Sequence, residues 1–192
     1  YIYDANKNGS IEAGDKVILL VGMRRGGGTE ATPSSGYYYA LDVTDPAVPK
    51  FLWSINNGQA SYTELAEAWS EPKIIKVKVG ANAYKIAAVL GGGYDNPNED
   101  GRYGATQTFP GVDSTTGTVP VAAATGAGAN TSAGTSAQTS PKGRGIFVVD
   151  LETGTKLWSY TVTTNTAMSF SLTSEVATLD SAGKGYTDRL YT

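Results

Sequence analysis

The sequence predicts an all-β fold built from repeated hairpins. Gly is abundant, with 24 residues among 192, Tyr occurs 12 times and charged residues make up only 17%, a composition typical of β-rich, turn-rich proteins. The second observation is an internal repeat, because GYYYALDVTDPAVPKFLW at 36–53 has the same order as GIFVVDLETGTKLW at 145–158. Each segment is an apolar run ending in Asp, a turn, and a run ending in Leu-Trp, which predicts a strand, a tight turn and a returning strand.

The two hairpin segments share residue types at matched positions. The matched pairs are Asp42 with Asp150, Leu52 with Leu157, and Trp53 with Trp158. A hairpin that recurs along a chain indicates one supersecondary unit used repeatedly. Two hairpins alone cannot bury both faces of their strands, so we expect the copies to pack on neighbouring sheets.

The remaining strands are predicted from short apolar runs and from alternation of apolar and polar residues. Residues 1–15 are polar and are interpreted as a loop, and 62–68 is a weak candidate for a helical turn. The continuous run VILLV predicts a buried strand, whereas IIKVKV alternates and predicts a strand with one wet face. Outside the first hairpin, the predicted strands are 17–21, 73–79, 83–90, 145–150, 156–160, 175–179 and 189–191.

The order of these strands predicts a β-propeller. The four strands between 73 and 160 run up and down, and the repeated hairpin forms the last pair, as in one propeller blade. The earlier strands are then the last three of the preceding blade, and the final two strands begin the next blade. Residues 1–192 are therefore predicted to be a fragment of one β-propeller domain and an internal piece of a longer protein.

A low-complexity segment interrupts the central blade at 102–142, where 119–140 is almost wholly Ala, Gly, Thr, Ser and Asn. Such a composition cannot bury enough apolar surface to offset its ordering entropy. We expect a surface insertion between the second and third strands. It is either a flexible linker or an adhesive or glycosylated loop, since Asn130 begins an Asn-Thr-Ser sequon.

Composition excludes several kinds of chemistry. Cys and His are both absent, so disulfides, thiolate nucleophiles, His bases and His ligation of haem are excluded within this chain. The net charge is −3 and the basic residues are scattered, which favours neither nucleic acid nor an anionic membrane as a partner. No apolar run approaches the roughly 20 residues that span a bilayer, so no membrane insertion is expected.

The sharpest local signal is DANKNGSIEAGD at 4–15. A twelve-residue calcium loop takes oxygen ligands from positions 1, 3, 5, 7, 9 and 12 and needs Gly at position 6, where this sequence has Gly9. No helix is predicted on either side, so the site would be a structural calcium site, and the alternative is a polar turn. The candidate ligands are Asp4, Asn6, Asn8, the carbonyl of Ser10, Glu12 and Asp15.

A second loop, DSAGKGYTD at 180–188, has a similar rhythm. Ala182 and Lys184 replace ligands, so Asp180 and Asp188 are interpreted as a degenerate site without an ion, in which Lys184 pairs with one of the two carboxylates. The segment NPNEDG at 96–101 has only the first half of the spacing and is more typical of a turn.

Two Gly-rich turns and three tryptophans are further candidates. Arg24 and Arg25 in GMRRGGG would bind an anion or form salt bridges to Asp42 or Asp45, and the salt bridges are favoured. Neither this turn nor the GGGYD turn at 91–95 fits a phosphate loop, because no helix start follows. The tryptophans at 53, 69 and 158 would stack on a quinone ring or pack between blades, and packing is favoured.

The motifs taken together resemble a known family. In order they are the 4–15 loop, DKVILLVGMRRGG, YYYALDVTDPAVPKFLW, AWSEPKI, VLGGGYD, GIFVVDLETGTKLW and SEVATLDSAGKGYTDRLY. This order resembles the C-terminal β-propeller of PilY-type type IV pilus tip proteins over nearly the whole chain except the insertion. The resemblance implies a modified propeller whose blades of four antiparallel strands are distantly like those of quinoprotein dehydrogenases, without their chemistry.

The same resemblance implies a function. It implies a calcium-binding, non-catalytic role in pilus assembly and adhesion at the bacterial cell surface. The implied partners are pilins or minor pilins, the remaining part of the propeller, and a surface ligand. The late calcium loop of the family falls on 180–188, where this sequence departs from the pattern. A quinoprotein-like enzyme and an unrelated secreted calcium-binding scaffold are the alternative hypotheses.

Overall fold

The computed structural model describes residues 1–24, 26, 36–95, 142–165, 168 and 170–192. The described residues form β-strands and turns and contain no helix. The strands are β1 (Ile2–Tyr3), β2 (Lys16–Gly22), β3 (Tyr38–Asp42), β4 (Lys50–Ile55), β5 (Lys73–Lys78), β6 (Tyr84–Gly91), β7 (Gly145–Asp150), β8 (Lys156–Thr161), β9 (Ala177–Leu179) and β10 (Arg189–Tyr191).

The strands form three antiparallel sheets in chain order. The first sheet is β1-β2-β3-β4, the second is β5-β6-β7-β8 and the third is the pair β9-β10. This is the predicted up-and-down arrangement, and every strand predicted from the sequence is present with small shifts at its ends. The first sheet has one strand more than predicted, because β1 pairs Tyr3 with Lys16 inside the segment interpreted as a loop.

The two repeated hairpins share a backbone irregularity as well as residue types. The register of β3 and β4 shifts between Ala40 and Leu41, and that of β7 and β8 shifts between Val148 and Val149. Both shifts lie at the same distance from the matched aspartates. A β-bulge is a specific feature of local geometry, so its recurrence at the equivalent position confirms the internal repeat.

The sheets stack in series, each one against the next along the chain. Within each strand, alternate residues point to opposite faces of the sheet. We call the face that carries Ala40 and Trp53, or the equivalent Val148 and Trp158, the forward face of its sheet. The forward face of the first sheet packs on the second sheet, and that of the second packs toward the third. The first core includes Ile18, Tyr38, Ala40, Trp53 and Ile55 from the first sheet and Ala88, Leu90, Phe147 and Val149 from the second.

The second sheet is therefore apolar on both faces. The second core contains Ala87, Val89, Ile146, Val148 and Val176, with Leu190 of β10 packed against it. Every residue of β7 is buried, which explains why this strand is a continuous apolar run and does not alternate.

Two sequence predictions about connecting segments are wrong. The candidate helical turn at 62–68 consists of turns and isolated bridges, in which Arg24 pairs with Ala68. The guanidinium of Arg24 lies over the Trp69 ring, 5.2 Å from its centroid, and forms no salt bridge with Asp42 or Asp45, both of which the structure describes. The reason is position: Arg24 follows one end of β2, whereas Asp42 pairs with Ile18 near the other end.

Several predicted features lie outside the described residues. They are Arg25, the NPNEDG turn at 96–101, the Asn130 sequon, and the insertion predicted at 102–142 except its last residue. Within the part of the chain that the structure describes, no helix has the length and hydropathy needed to cross a bilayer.

Candidate calcium site

The predicted calcium loop occupies the whole connection between β1 and β2. Its ends are held together because Tyr3 pairs with Lys16, on either side of Asp4 and Asp15. Gly9, at position 6 of the loop, has a φ of 82°, a left-handed conformation that Gly adopts without steric cost. The backbone therefore makes the sharp turn that the sequence pattern requires.

The carboxylate of Asp4 lies under this turn. It accepts hydrogen bonds from the backbone N–H groups of Lys7 at 2.5 Å and Gly9 at 2.8 Å. These N–H groups, that of Gly9 foremost, lower the pKa of Asp4 because they stabilise its charged form. Asp4 thus offers negative charge to the loop at neutral pH.

Asp15 closes the loop from the other end and is only 8% exposed. Its two oxygens accept the backbone N–H groups of Ala5 and Glu12, each at 2.8 Å. Positions 2, 9 and 12 of the loop are therefore tied together without a metal.

The remaining candidate ligands lie near each other above the turn. The side-chain oxygen of Asn6 accepts the N–H of Asn8 at 3.1 Å, and that of Asn8 accepts the N–H of Ser10 at 2.8 Å. The amide groups of both asparagines donate to Oε1 of Glu12, with Asn8 at 3.2 Å. The structure thus brings Asn6, Asn8 and Glu12 together and places Ser10 beside them.

The donor set fits calcium in its chemistry, since all six candidate ligands are oxygens, which hard cations prefer. The carboxylates alone do not suffice: among the described residues, no three His, Cys, Asp or Glu side chains are grouped to hold a metal. A calcium ion would therefore need the Asn side-chain oxygens and the Ser10 carbonyl as well as Asp4, Glu12 and Asp15.

The second predicted loop lies in the equivalent place, between the first two strands of the third sheet. Asp180 accepts the N–H groups of Lys184 at 2.9 Å and Gly185 at 2.6 Å, and Asp188 accepts the N–H and the hydroxyl of Ser181 at 2.8 and 2.7 Å. These contacts lower the pKa of both carboxyls: the N–H of Lys184 is the main cause at Asp180 and that of Ser181 at Asp188. Backbone N–H groups therefore hold the two aspartates of the second loop in the same way as those of the first loop.

One detail of the second loop differs from the prediction. Lys184 bonds Asp180 through its backbone N–H, and no salt bridge of its ammonium group occurs among the described residues. Two ligand positions are occupied by Ala182 and Lys184. This loop therefore has a turn like that of the first loop but lacks side-chain oxygen ligands at those two positions.

The three tryptophans occupy three different environments. Trp53 is buried between the first two sheets, where its Nε1 donates to the carbonyl of Leu151 at 2.9 Å. Trp69 donates to Glu67 at 2.8 Å, and Trp158 is 47% exposed on the second sheet. Packing between blades, as expected from the sequence, therefore holds for Trp53.

The turn that receives Trp53 was not singled out from the sequence. The ring packs directly on the backbone of Gly154, where an added Cβ would lie 2.8 Å from ring carbons. The hydroxyl of Tyr62 donates to the carbonyl of Gly154 at 2.6 Å, and Lys16 pairs with Glu152 at 2.6 Å. The sequence feature that could have indicated this turn is Gly154, four residues after Asp150 of the repeated hairpin.

The chain is similar to a known protein in its three-dimensional structure. No protein-family model matches the chain, and no curated protein matches it. Among solved structures, the chain is similar to the C-terminal domain of PilY1 from Pseudomonas aeruginosa, with a TM-score of 0.50 and 21% identity. The fold resembles that domain. The match covers 92% of this chain, which spans about a quarter (24%) of the matched chain's length.

This similarity confirms the fold class. The PilY1 domain is a β-propeller, and the described residues here are all-β, with four-stranded antiparallel sheets that stack in series. The three sheets formed by the described residues do not close into a ring. The prediction of propeller blades, made from the repeated hairpin, is therefore confirmed.

Proposed function

We propose that the chain is a propeller segment of a type IV pilus-associated protein that supports pilus biogenesis and surface attachment and has no catalytic role. The observation that carries the proposal is the structural similarity to the PilY1 C-terminal domain over 92% of the chain. The bulged, Trp-ended hairpin adds support, since it repeats in successive sheets. The place of action would be the bacterial cell surface at the pilus tip.

The proposed partners are pilins or minor pilins, the rest of a propeller and a surface ligand. A non-catalytic role agrees with the absence of Cys and His from the sequence, which removes the commonest nucleophile and base pairs. It also agrees with the environment of two buried carboxylates, which accept hydrogen bonds from other parts of the fold. Glu67 accepts the indole N–H of Trp69, and Asp95 accepts the N–H of Lys142 at 2.9 Å.

Calcium binding at 4–15 forms the second part of the proposal. What supports it is the loop geometry around Asp4, Gly9 and Asp15, in which the backbone turns as the pattern requires. The ion would tie the short strand β1 to β2 and stabilise that edge of the first sheet. Extracellular sites of this kind bind calcium at roughly 10⁻⁴ to 10⁻³ M. We propose no ion at Asp180 and Asp188.

Direct binding to purified pilus subunits tests the function. The 192-residue chain would be immobilised, and each purified pilin and minor pilin passed over it in millimolar calcium. We expect saturable binding to at least one of them. A heat-unfolded sample of the same chain serves as the control for non-specific adsorption.

Two results would count against this function. One is the lack of saturable binding to any pilus subunit while the chain is folded by circular dichroism. The other is a bound quinone recovered with the chain, together with dye-linked alcohol oxidation, which would favour the quinoprotein-like enzyme. Calcium binding is measured separately, so its failure leaves the pilus proposal standing on its own test.

A further inference from the structure

The sequence contains the dipeptide Asn-Gly twice, at 8–9 and at 57–58. This dipeptide is chemically reactive because the backbone nitrogen after an Asn can attack the Asn side-chain amide, and Gly has no side chain to hinder the approach. Asn8 and Gly9 lie exposed at the turn of the 4–15 loop. A Cβ added to Gly9 would have nothing within 4 Å, so neighbouring atoms do not crowd this side of the turn.

Hydrogen bonds hold each of the three reacting groups in the closed loop. The attacking group is the N–H of Gly9, which donates to Oδ2 of Asp4 at 2.8 Å. The carbonyl oxygen at the attacked carbon, Oδ1 of Asn8, accepts the N–H of Ser10 at 2.8 Å. The leaving amide, Nδ2 of Asn8, donates to Oε1 of Glu12 at 3.2 Å. Both the nucleophile and the leaving group must therefore give up a hydrogen bond before they can react.

The charge of Asp4 acts in the same direction as these hydrogen bonds. The Gly9 nitrogen loses its proton as it attacks, so negative charge develops on this nitrogen. A carboxylate oxygen at 2.8 Å disfavours that charge, because like charges repel at short range. Opening of the loop separates Asp4 from Gly9 and removes this repulsion. The closed loop therefore protects the dipeptide, and the open loop exposes it to reaction.

We propose that Asn8-Gly9 is a deamidation site and that opening of the 4–15 loop controls its rate. In the open loop the Gly9 nitrogen forms a bond to Cγ of Asn8 while the Cγ–Nδ2 bond breaks. The leaving group takes up the proton lost by the Gly9 nitrogen and departs as ammonia, which leaves a five-membered succinimide ring. Water then opens this ring at one of its two carbonyl carbons, and the product is aspartate or isoaspartate in place of Asn8.

Either product changes the candidate calcium site, because Asn8 holds position 5 of the loop. Aspartate puts a carboxylate where a neutral amide stood, and hard cations prefer such charged oxygen donors. Isoaspartate carries the main chain through the former side chain, so the added main-chain carbon displaces Gly9 from the sharp turn. The effect on calcium rests on the proposed calcium site, whereas the deamidation itself depends on neither calcium nor the pilus function.

The test compares the rate of Asn8 conversion in the full chain and in two matched variants. Each protein is kept in mildly alkaline buffer without calcium, and peptide mass spectrometry measures the aspartate and isoaspartate products over time. Asp4→Ala removes the acceptor of the Gly9 N–H, and we expect about fivefold faster conversion, the effect of one lost hydrogen bond. Asp180→Ala removes the equivalent acceptor of the Gly185 N–H in the second loop and should leave the rate at Asn8 unchanged.

Each sample contains its own reference for opening of the whole fold. Asn57-Gly58 lies in the connection after β4, outside the 4–15 loop. A rate at Asn57 that Asp4→Ala does not change shows that the variant opens the loop alone. The parent chain in urea gives the rate of the open loop, which we expect to exceed that of the folded chain.

Several results would overturn the proposal. One is that Asp4→Ala leaves the rate at Asn8 unchanged or lowers it. Others are an equal rise in Asp180→Ala, a parallel rise at Asn57, and the lack of conversion of Asn8 in urea. Glu12→Ala, which frees the leaving amide, takes the place of Asp4→Ala if that variant does not fold. No pilus subunit or calcium enters this measurement, so its failure is distinct from that of the proposed function.

Discussion

The indole N–H of Trp53 donates a hydrogen bond of 2.9 Å to the carbonyl of Leu151, which joins β4 of the first sheet to the turn after β7 of the second. The two residues are 98 positions apart in sequence. Because the tryptophan is buried, the bond satisfies a carbonyl and an N–H that water cannot reach. The contact therefore fixes how one sheet stacks on the next.

Trp53→Phe should destabilise the fold clearly more than the same change at the equivalent position. The substitution leaves the Leu151 carbonyl without its partner and opens a small cavity, at a combined cost of about 2–4 kcal/mol. Trp158→Phe is the matched control, and with a half-exposed ring it should cost under about 1 kcal/mol. Urea unfolding followed by circular dichroism gives both values. Equal losses would show that the hydrogen bond across the sheets is not a major source of stability.

Gly154→Ala should destabilise through a clash as well as through backbone strain. Gly154 has a φ of 67°, and an added Cβ would lie 2.8 Å from the Trp53 ring. Gly183→Ala is the control for strain alone, since Gly183 has a φ of 63° and nothing within 4 Å. We expect about 1 kcal/mol from strain at either site and about 1–3 kcal/mol more at Gly154 from overpacking. Thermal unfolding of the two variants tests the difference, and similar losses would mean that the ring moves aside without cost.

Calcium should raise the stability of the chain through the 4–15 loop. A ligand at ten times its Kd that binds only the folded state adds about 1.4 kcal/mol, which calorimetry in 0 to 10 mM calcium would detect. Asp4→Asn and Asp15→Asn should remove most of this increment, while Asp180→Asn should leave it unchanged. The comparison uses the calcium-dependent part of each variant's stability, because Asp4 and Asp15 also accept backbone hydrogen bonds without metal. The absence of any shift in the parent protein would end the calcium proposal.

Acid should destabilise the second hairpin through Asp150. Burial raises the pKa of Asp150, but the Lys85 ammonium at 2.5 Å and the N–H groups of Thr153 and Glu152 outweigh it, so the pKa lies below the ordinary 3.8. A lowered folded-state pKa contributes stability that is present above about pH 4 and is lost as pH falls through the lower folded-state value.

The measurement is the urea midpoint between pH 7 and pH 2.5. We expect Asp150→Asn to lower stability at neutral pH and to flatten part of the acid-induced loss. Asp45→Asn is a suitable control, because Asp45 is exposed and, among the described residues, its carboxylate accepts the local N–H of Ala47. An acid profile of Asp150→Asn parallel to that of the parent would contradict the role given to this carboxylate.

Much of the fold was predictable because the informative patterns are local. Alternation and apolar runs mark strands wherever one or both faces are covered, and β7 lies at the predicted residues 145–150. β1 was missed because Ile2–Tyr3 is too short to show a period, and only its pairing with β2 makes it a strand. The predicted partner of Arg24 was wrong because a β-bridge between Arg24 and Ala68 places Trp69 beside the guanidinium. The sequence does not reveal this bridge.

In the candidate calcium site, too, local features could be predicted from the sequence and features of the whole fold could not. The turn at Gly9 and the bonds to Asp4 and Asp15 form within the loop, so residue spacing anticipates them. The equivalence of the two Asp-containing loops is a property of the fold, because both connect the first and second strands of a sheet. Calcium binding itself stays a prediction.

The sequence by itself determined the strands, the turns and the repeated hairpin, since these depend on residues close together along the chain. It could not determine which of two matched tryptophans is buried. Trp53 is 6% exposed and Trp158 is 47% exposed, although both end the same Leu-Trp motif. Burial depends on what packs against a side chain, and the turn that covers Trp53 comes from the next sheet, far along the chain. Only the stacking of sheets in three dimensions brings that turn into contact.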